Sequence, residues 1–384
     1  MTARALVIMA LVALALPAGA QEQSASPWLV SFSANYGAWR ASGVDSDGSQ
    51  ALGFVQASYA TDTFGASVTG VGARTSYLTP SGTERFEITT LSDTDIATYY
   101  LHSIGAVTLR GGVDARIPTG KHAYTESELS AIFLDDLSGD LMLVNSYGGG
   151  FDVTPHFLAI YNFDGFVAGA GFKYEFTGEY DPTTDTAGDN FNPGDRLTAL
   201  INAVYTVGES RYTMLTLSYS RSEKDTQGGV AVYRAGDTYS LEGRLIWRWA
   251  NGLTSVASAS YKTQTKDELL GEESLLISEI SNSNNNLYEL FVNNVYQYTG
   301  GVSFTGLIGY KQALANGYAE GDALYDAGRA KLYIEPGVIY NFSDASYATL
   351  KARYTYLRDL ADAFSAADAT YSLINADISL VTRF

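Results

Sequence analysis

His102, His122 and His156 are the side chains best suited to general-base chemistry in this chain. His102 stands beside Ser103, the pair a serine hydrolase would use, but the residues around it read as a strand, where neighbours point to opposite faces. No serine-hydrolase motif surrounds them, and His156 alternates with the polar side of its own segment. Cysteine is absent, which excludes thiolate nucleophiles, thiolate zinc sites and disulfides. The glycine pairs in "GVG" (70–72) and "GAG" (169–171) lack the strand-to-helix setting of a dinucleotide site. "DSDG" (45–48) misses the spacing of a calcium loop and reads as a solvated turn. The expectation is a chain that is not an enzyme and holds neither metal nor cofactor.

What remains is a set of charges that recur at every second position. In "YSLEGRLIWRW" (239–249), Tyr239, Leu241, Leu245, Trp247 and Trp249 share one face, and Glu242, Arg244 and Arg248 share the other. In "GFVAGAGFKYEF" (165–176), Phe166, Ala168, Ala170, Phe172, Tyr174 and Phe176 oppose Lys173 and Glu175. Period two with one apolar side is a β-strand. The chain ends the same way, in "NADISLVTRF", with Ala376, Ile378 and Leu380 alternating with polar residues before Phe384.

The elements that carry these faces repeat as strand, short turn, strand, long polar loop. The turns are "TDT" (61–63), "HSIG" (102–105), "NFDG" (162–165), "GES" (208–210), "ANG" (250–252), "GG" (300–301) and "SDA" (343–345). The long connections are 41–50, 76–84, 117–147, 181–193, 224–235, 266–286, 314–328 and 359–369. Seven turns alternating with eight loops give sixteen antiparallel strands with both termini at the turn end. Fourteen is the nearest alternative, because the fourth strand (85–102) carries "DTD" (93–95) within it. A soluble sandwich has no reason to place every long loop at one end and would bury the apolar faces between two sheets. An all-β, transmembrane, antiparallel up-and-down barrel with short periplasmic turns and long external loops accounts for both patterns.

Composition fits that reading: 28 Tyr, 17 Phe and 38 Gly against 8 Pro favour strands and turns over helices. A net charge of −18 speaks against nucleic acid. Residues 1–20, with Arg4, the apolar run "ALVIMALVALAL" (5–16) and "AGA" before Gln21, read as an export signal, leaving 21–384 as the barrel. The expected location is a bacterial, Gram-negative outer membrane, with outer-membrane lipid and lipopolysaccharide as surroundings.

Three resemblances add to this. "ADISLVTRF", closing on Phe384, resembles the signal that such barrels present to the barrel assembly machinery, although Thr382 departs from the usual apolar residue. Sixteen strands with a long third loop (117–147) resemble the general porins, which fold that loop into the lumen and for which a homo-oligomer, a trimer, is natural. The segments "ARIPTGKH" (115–122), "FDVTPHFLAIY" (151–161) and "YEFTGEYD...FNPGDRL" (174–197) look like a transporter family assigned to a meta-pathway of phenol degradation, distantly akin to fatty-acid transporters. That likeness implies uptake of small organic or aromatic solutes. Fatty-acid transporters carry an N-terminal hatch, whereas here the first strand begins near Pro27, so any plug must come from loops.

Read strand by strand, the inward set is Arg110, Asp114, Arg116, Lys173, Glu175, Arg196, Arg244, Arg248, Lys262, Lys311, Lys331, Glu335, Lys351 and Arg353. Basic residues outnumber acidic ones there. In the third loop, Thr125 and Glu128 form a capping box ahead of Leu129, Ile132 and Phe133 at helical spacing. Glu126, Glu128, Asp135, Asp136 and Asp140 would face the basic wall if that loop folds inward, setting a transverse field that favours anions. The alternative is that the charges merely pair in a wet interior. The expected function is passive uptake of small organic solutes, anionic or aromatic. An outer-membrane enzyme of phospholipase or protease type, or a structural or adhesive barrel, stands as the alternative.

Overall fold

The computed structural model describes residues 27–43, 46–78, 84–132, 138–184, 190–208, 210–271, 275–361 and 368–384. The expected export signal, "DSDG" at Asp45, Phe133, Asp135 and Asp136 lie outside these residues. Sixteen antiparallel strands close into a barrel: Trp28–Ser42, Asp47–Ala60, Phe64–Leu78, a fourth in two segments (Arg85–Leu91 and Thr94–Ile104), Val107–Ile117, Asp152–Phe163, Phe166–Glu175 and Arg196–Val207. The ring continues through Arg211–Ser222, Thr238–Arg248, Leu253–Gln264, Leu287–Gln297, Val302–Ala313, Arg329–Asn341, Ser346–Asp359 and Ala369–Arg383.

Each strand pairs with its neighbours in sequence, and the last pairs with the first from Leu29↔Arg383 to Ser42↔Thr370. The backbone N–H of Phe384 donates to the carbonyl of Trp28 at 3.1 Å, so the terminal residue finishes the seam. Closure leaves no sheet edge, which is what a β-structure surrounded by hydrocarbon requires. The alternating side chains sort as expected. Phe32, Tyr36, Val55, Ile201, Leu290, Ile308 and Ile378 are exposed on the outer face, and most charged positions of the same strands turn inward, whereas Arg40 and Asp47, opposite each other in register near the loop end, share the outer face. The tight turns sit where glycine can take a positive φ, as at Gly105 (60°) and Gly165 (72°).

Two expectations about the strands need correction. The first connection is not long: the strands run on to Ser42 and restart at Asp47, leaving only 43–46 between them. Their inward residues Trp39 and Gln50 are buried under other parts of the chain, which holds the pair together beyond the point where polarity suggested a loop. The fourth strand is not continuous. Ser92 and Asp93 break it, and only Thr94–Ile104 pairs with the fifth strand. Beyond the barrel, residues Phe191–Asn192, Asp225–Gln227, Val230–Arg234, Glu268–Leu270 and Leu276–Ser278 of three long loops form a second, five-stranded sheet.

Candidate functional site

The third connection, from Ile117 to Asp152, packs against inward-facing residues of strands one to four, fifteen and sixteen. Its helix Glu126–Ile132 begins with the expected box: the Glu128 N–H donates to Thr125 Oγ1 at 3.3 Å and the Thr125 N–H donates to Glu128 Oε2 at 2.9 Å. Tyr124, Ala131 and Tyr147 of the loop join Leu52, Ala73 and Ile88 of strands two to four in one buried cluster, with Leu129 and Val144 packed against it. Leu141 and Met142 join Trp39, Tyr77, Leu357, Tyr371 and Leu373 in a second. Burying such side chains contributes about 1.5–3 kcal/mol each, so the loop is held chiefly by apolar contact. Gly48 makes room for the Trp39 ring on which the loop packs: a Cβ there would lie 2.2 Å from it.

Polar groups fix its register. Gln50, almost wholly buried, accepts the N–H groups of Leu143 (3.0 Å) and Val144 (3.1 Å) at Oε1, and its Nε2 donates to the Val144 carbonyl (2.6 Å) and to Thr75 Oγ1 (2.8 Å). The Tyr147 hydroxyl meets Thr75 Oγ1 in a short contact. At the break in strand four, the Asp93 N–H donates to the Tyr147 carbonyl at 2.8 Å. Its carboxylate accepts the N–H groups of Gly120 (3.0 Å) and Gly149 (2.9 Å). The break is therefore the point where the wall grips both ends of the loop.

On the far side of the loop, Asp140 reaches strands thirteen and fourteen. Lys311 Nζ lies 2.6 Å from Oδ1, Arg329 Nε 2.7 Å from Oδ2, and Lys331 Nζ 3.4 Å from Oδ1 and 2.9 Å from the Asp140 carbonyl. Burial pushes this carboxyl up, but Lys311, Lys331 and Arg329 prevail and hold it well below the usual carboxylate range. The other loop acids behave differently. Glu128 does not face the basic wall: the capping box turns it back along its own loop, where it pairs with Lys121. Burial raises its carboxyl, and bonds from Lys121 and Thr125 more than offset that, leaving it below its ordinary value. Glu126 sits in the exposed first turn of the helix.

The inward cations lie where alternation puts them, and carboxylates answer most of them. Arg116 contacts Asp95 (3.4 Å) and Asp152 (2.8 Å); Arg196 lies 3.7 Å from Glu175; Arg244 lies 2.6 Å from Glu242. Lys351 and Arg353 share Glu335 at 3.6 and 2.7 Å, with Asp377 opposite Lys351 in register. Arg110 stacks over Tyr99 and Arg248 over Tyr212, at 4.3 and 5.2 Å from the ring centres. Lys173 lies opposite His156, which approaches Asp114 at 3.4 Å. The inward surplus of base is thus smaller than the sequence suggests, because Asp95, Asp152, Glu289 and Asp377 also face the lumen. His102 and Ser103 fall on opposite faces, as adjacent strand residues must. Away from the docked loop, strands eight to eleven present a hydroxyl-rich wall, with Thr198 and Ser220 at 3.1 Å, Ser218 and Ser240 at 2.5 Å, and Thr238 and Gln264 at 3.2 Å.

Sequence reasoning missed Gln50, Asp93, Tyr147 and Arg329. One signal was present: the inward positions of strands one to four, among them Trp39, Leu52, Phe54, Ala73 and Ile88, are apolar and need a cover that a wet lumen cannot supply.

No protein-family model matches the chain, and no curated protein matches it. Among solved structures, it is similar to the TodX monoaromatic hydrocarbon channel deltaS2 mutant at 11% identity, covering 94% of this chain and 91% of that one with a TM-score of 0.47. It is similar to the COG4313 outer membrane channel from Pseudomonas putida F1 at 8% identity, covering 96% and 99% with a TM-score of 0.40. It is also similar to outer-membrane expressed OmpT of Vibrio cholerae at 12% identity, covering 95% and 100% with a TM-score of 0.40.

Proposed function

We propose that this barrel is a passive outer-membrane channel for small organic solutes, with aromatic and aliphatic carboxylates as the favoured class. The observation that supports this reading most is the docking of the third loop against one side of the wall. The loop narrows a sixteen-stranded lumen, which by its strand number leaves an aqueous interior, while the hydroxyl-rich wall of strands eight to eleven lies on the other side. Along such a passage, Arg110, Arg248, Lys173 and the Lys351–Arg353 pair raise the local concentration of anions. In a lumen only a few Debye lengths across, their potential survives at physiological salt.

The same reading makes Phe384 part of the signal read by the barrel assembly machinery and lipopolysaccharide part of the outer surroundings. A trimer remains the natural assembly for a porin-like barrel. Liposome swelling tests the transport: vesicles carrying the protein should swell faster in benzoate than in a cationic solute of equal size. Equal rates would remove the anion preference, and no swelling above protein-free vesicles would remove the channel. Heat-modifiable migration together with outer-membrane fractionation tests the location, which recovery as a soluble protein would overturn.

A further inference from the structure

The geometry points to a carboxylate-binding site in the wall, formed by Lys311, Arg329 and Lys331, that Asp140 of the third loop occupies until a carboxylate-bearing solute replaces it. Lys311 and Lys331 are directly opposite each other in register, and Arg329 is the next inward residue on the same strand. Like charges placed opposite each other destabilise a strand pair, so this wall is arranged for an anion between them. Asp326, 3.9 Å from Arg329, and Asp359, opposite it in register, lie toward the arginine side.

Asp140 fills the site as a bound carboxylate would. One oxygen takes the two lysines and the other takes the arginine, and its side chain is 2% exposed. Yet Asp140 belongs to a short helical turn of the loop, Ser138–Leu141, and not to the wall. A free carboxylate offers the same two oxygens to the same three cations. Exchange releases the turn, and Leu141 and Met142, which follow Asp140 and are buried against strands one, three, fifteen and sixteen, come away with it. The solute thereby widens the passage it uses. A tethered group competes at roughly millimolar effective concentration, so the exchange belongs to solute at that level or above.

This rests on the channel reading, since the solute must reach the lumen. The chain has no cysteine, so single cysteines report without interference. Purified, detergent-folded Met142→Cys is treated with a maleimide in sodium benzoate or in sodium chloride of equal ionic strength, with Ser218→Cys on the open wall as the reference. The expected result is labelling of Met142→Cys several-fold faster in benzoate, with no change for Ser218→Cys. Adding Asp140→Asn should make labelling fast in both salts. Equal rates in benzoate and chloride for Met142→Cys, with Ser218→Cys labelled normally, would overturn the site and leave the channel standing. Failure of Ser218→Cys to label in the folded protein would remove the channel and the site together.

Discussion

Replacing Gln50 with Leu isolates the polar part of the docking from the apolar part. The two side chains are of similar size, and the backbone of Gln50 keeps its pairing with Gly37 and Thr75. The change removes partners from the N–H groups of Leu143 and Val144 and from the carbonyl of Val144. At about 1 kcal/mol net for each hydrogen bond, the docked loop loses about 3 kcal/mol. That shifts the docked-to-released ratio by roughly a hundredfold. A glutamate-specific protease acting on the detergent-folded barrel reads the change at Glu126 and Glu128. Where release and redocking outpace cleavage, the rate follows the released population. Gln50→Leu should therefore be cut up to roughly two orders of magnitude faster while the barrel stays folded on an unheated gel. Cleavage at the wild-type rate would refute the argument that Gln50 holds the loop.

Three further outcomes follow from the same contacts. Changing Lys351 and Arg353 together to Ser leaves Glu335 and Asp377 without their cations, so the reversal potential under a salt gradient should move toward cation preference; an unchanged value would make that pair structural filling. Because the folded-state value of Asp140 is depressed below 3.8, its contribution is complete above that ordinary value and lost as pH falls through the lower one. Loop protection should then persist from neutral pH to roughly pH 4 and decline only in stronger acid, and loss near neutrality would contradict the ion cluster. Thr125→Ala removes the helix cap and should cost about 0.5–2 kcal/mol, visible as faster cleavage at Glu126, with ion preference unchanged.

The barrel itself was largely legible. Alternation in segments such as 239–249, together with the turns at 61–63, 162–165 and 208–210, fixed strand number and facing, because side-chain direction in a strand depends only on period two. Boundaries failed at 41–50, where Trp39 and Gln50 extend the first two strands under cover of a distant loop, and at 92–93, where the break serves Gly120 and Gly149. Both depend on contacts far apart in sequence, and local polarity carries no record of them. The capping box of Thr125 and Glu128 was readable because both partners sit within one turn. The destination of Glu128 was not, since the cap takes its carboxylate away from the wall. Arg329 was passed over because it lies at the edge of a loop, although the alternation of Lys331 and Glu335 already placed it inward.

On the proposed reading, the third loop narrows an open lumen. Single-channel conductance in planar bilayers, compared between the intact protein and a form lacking 125–137, tests it most directly. Discrete steps are expected from the intact protein, and larger ones after the deletion. Equal steps from the two forms, or none from either while both migrate as folded barrels, would contradict it.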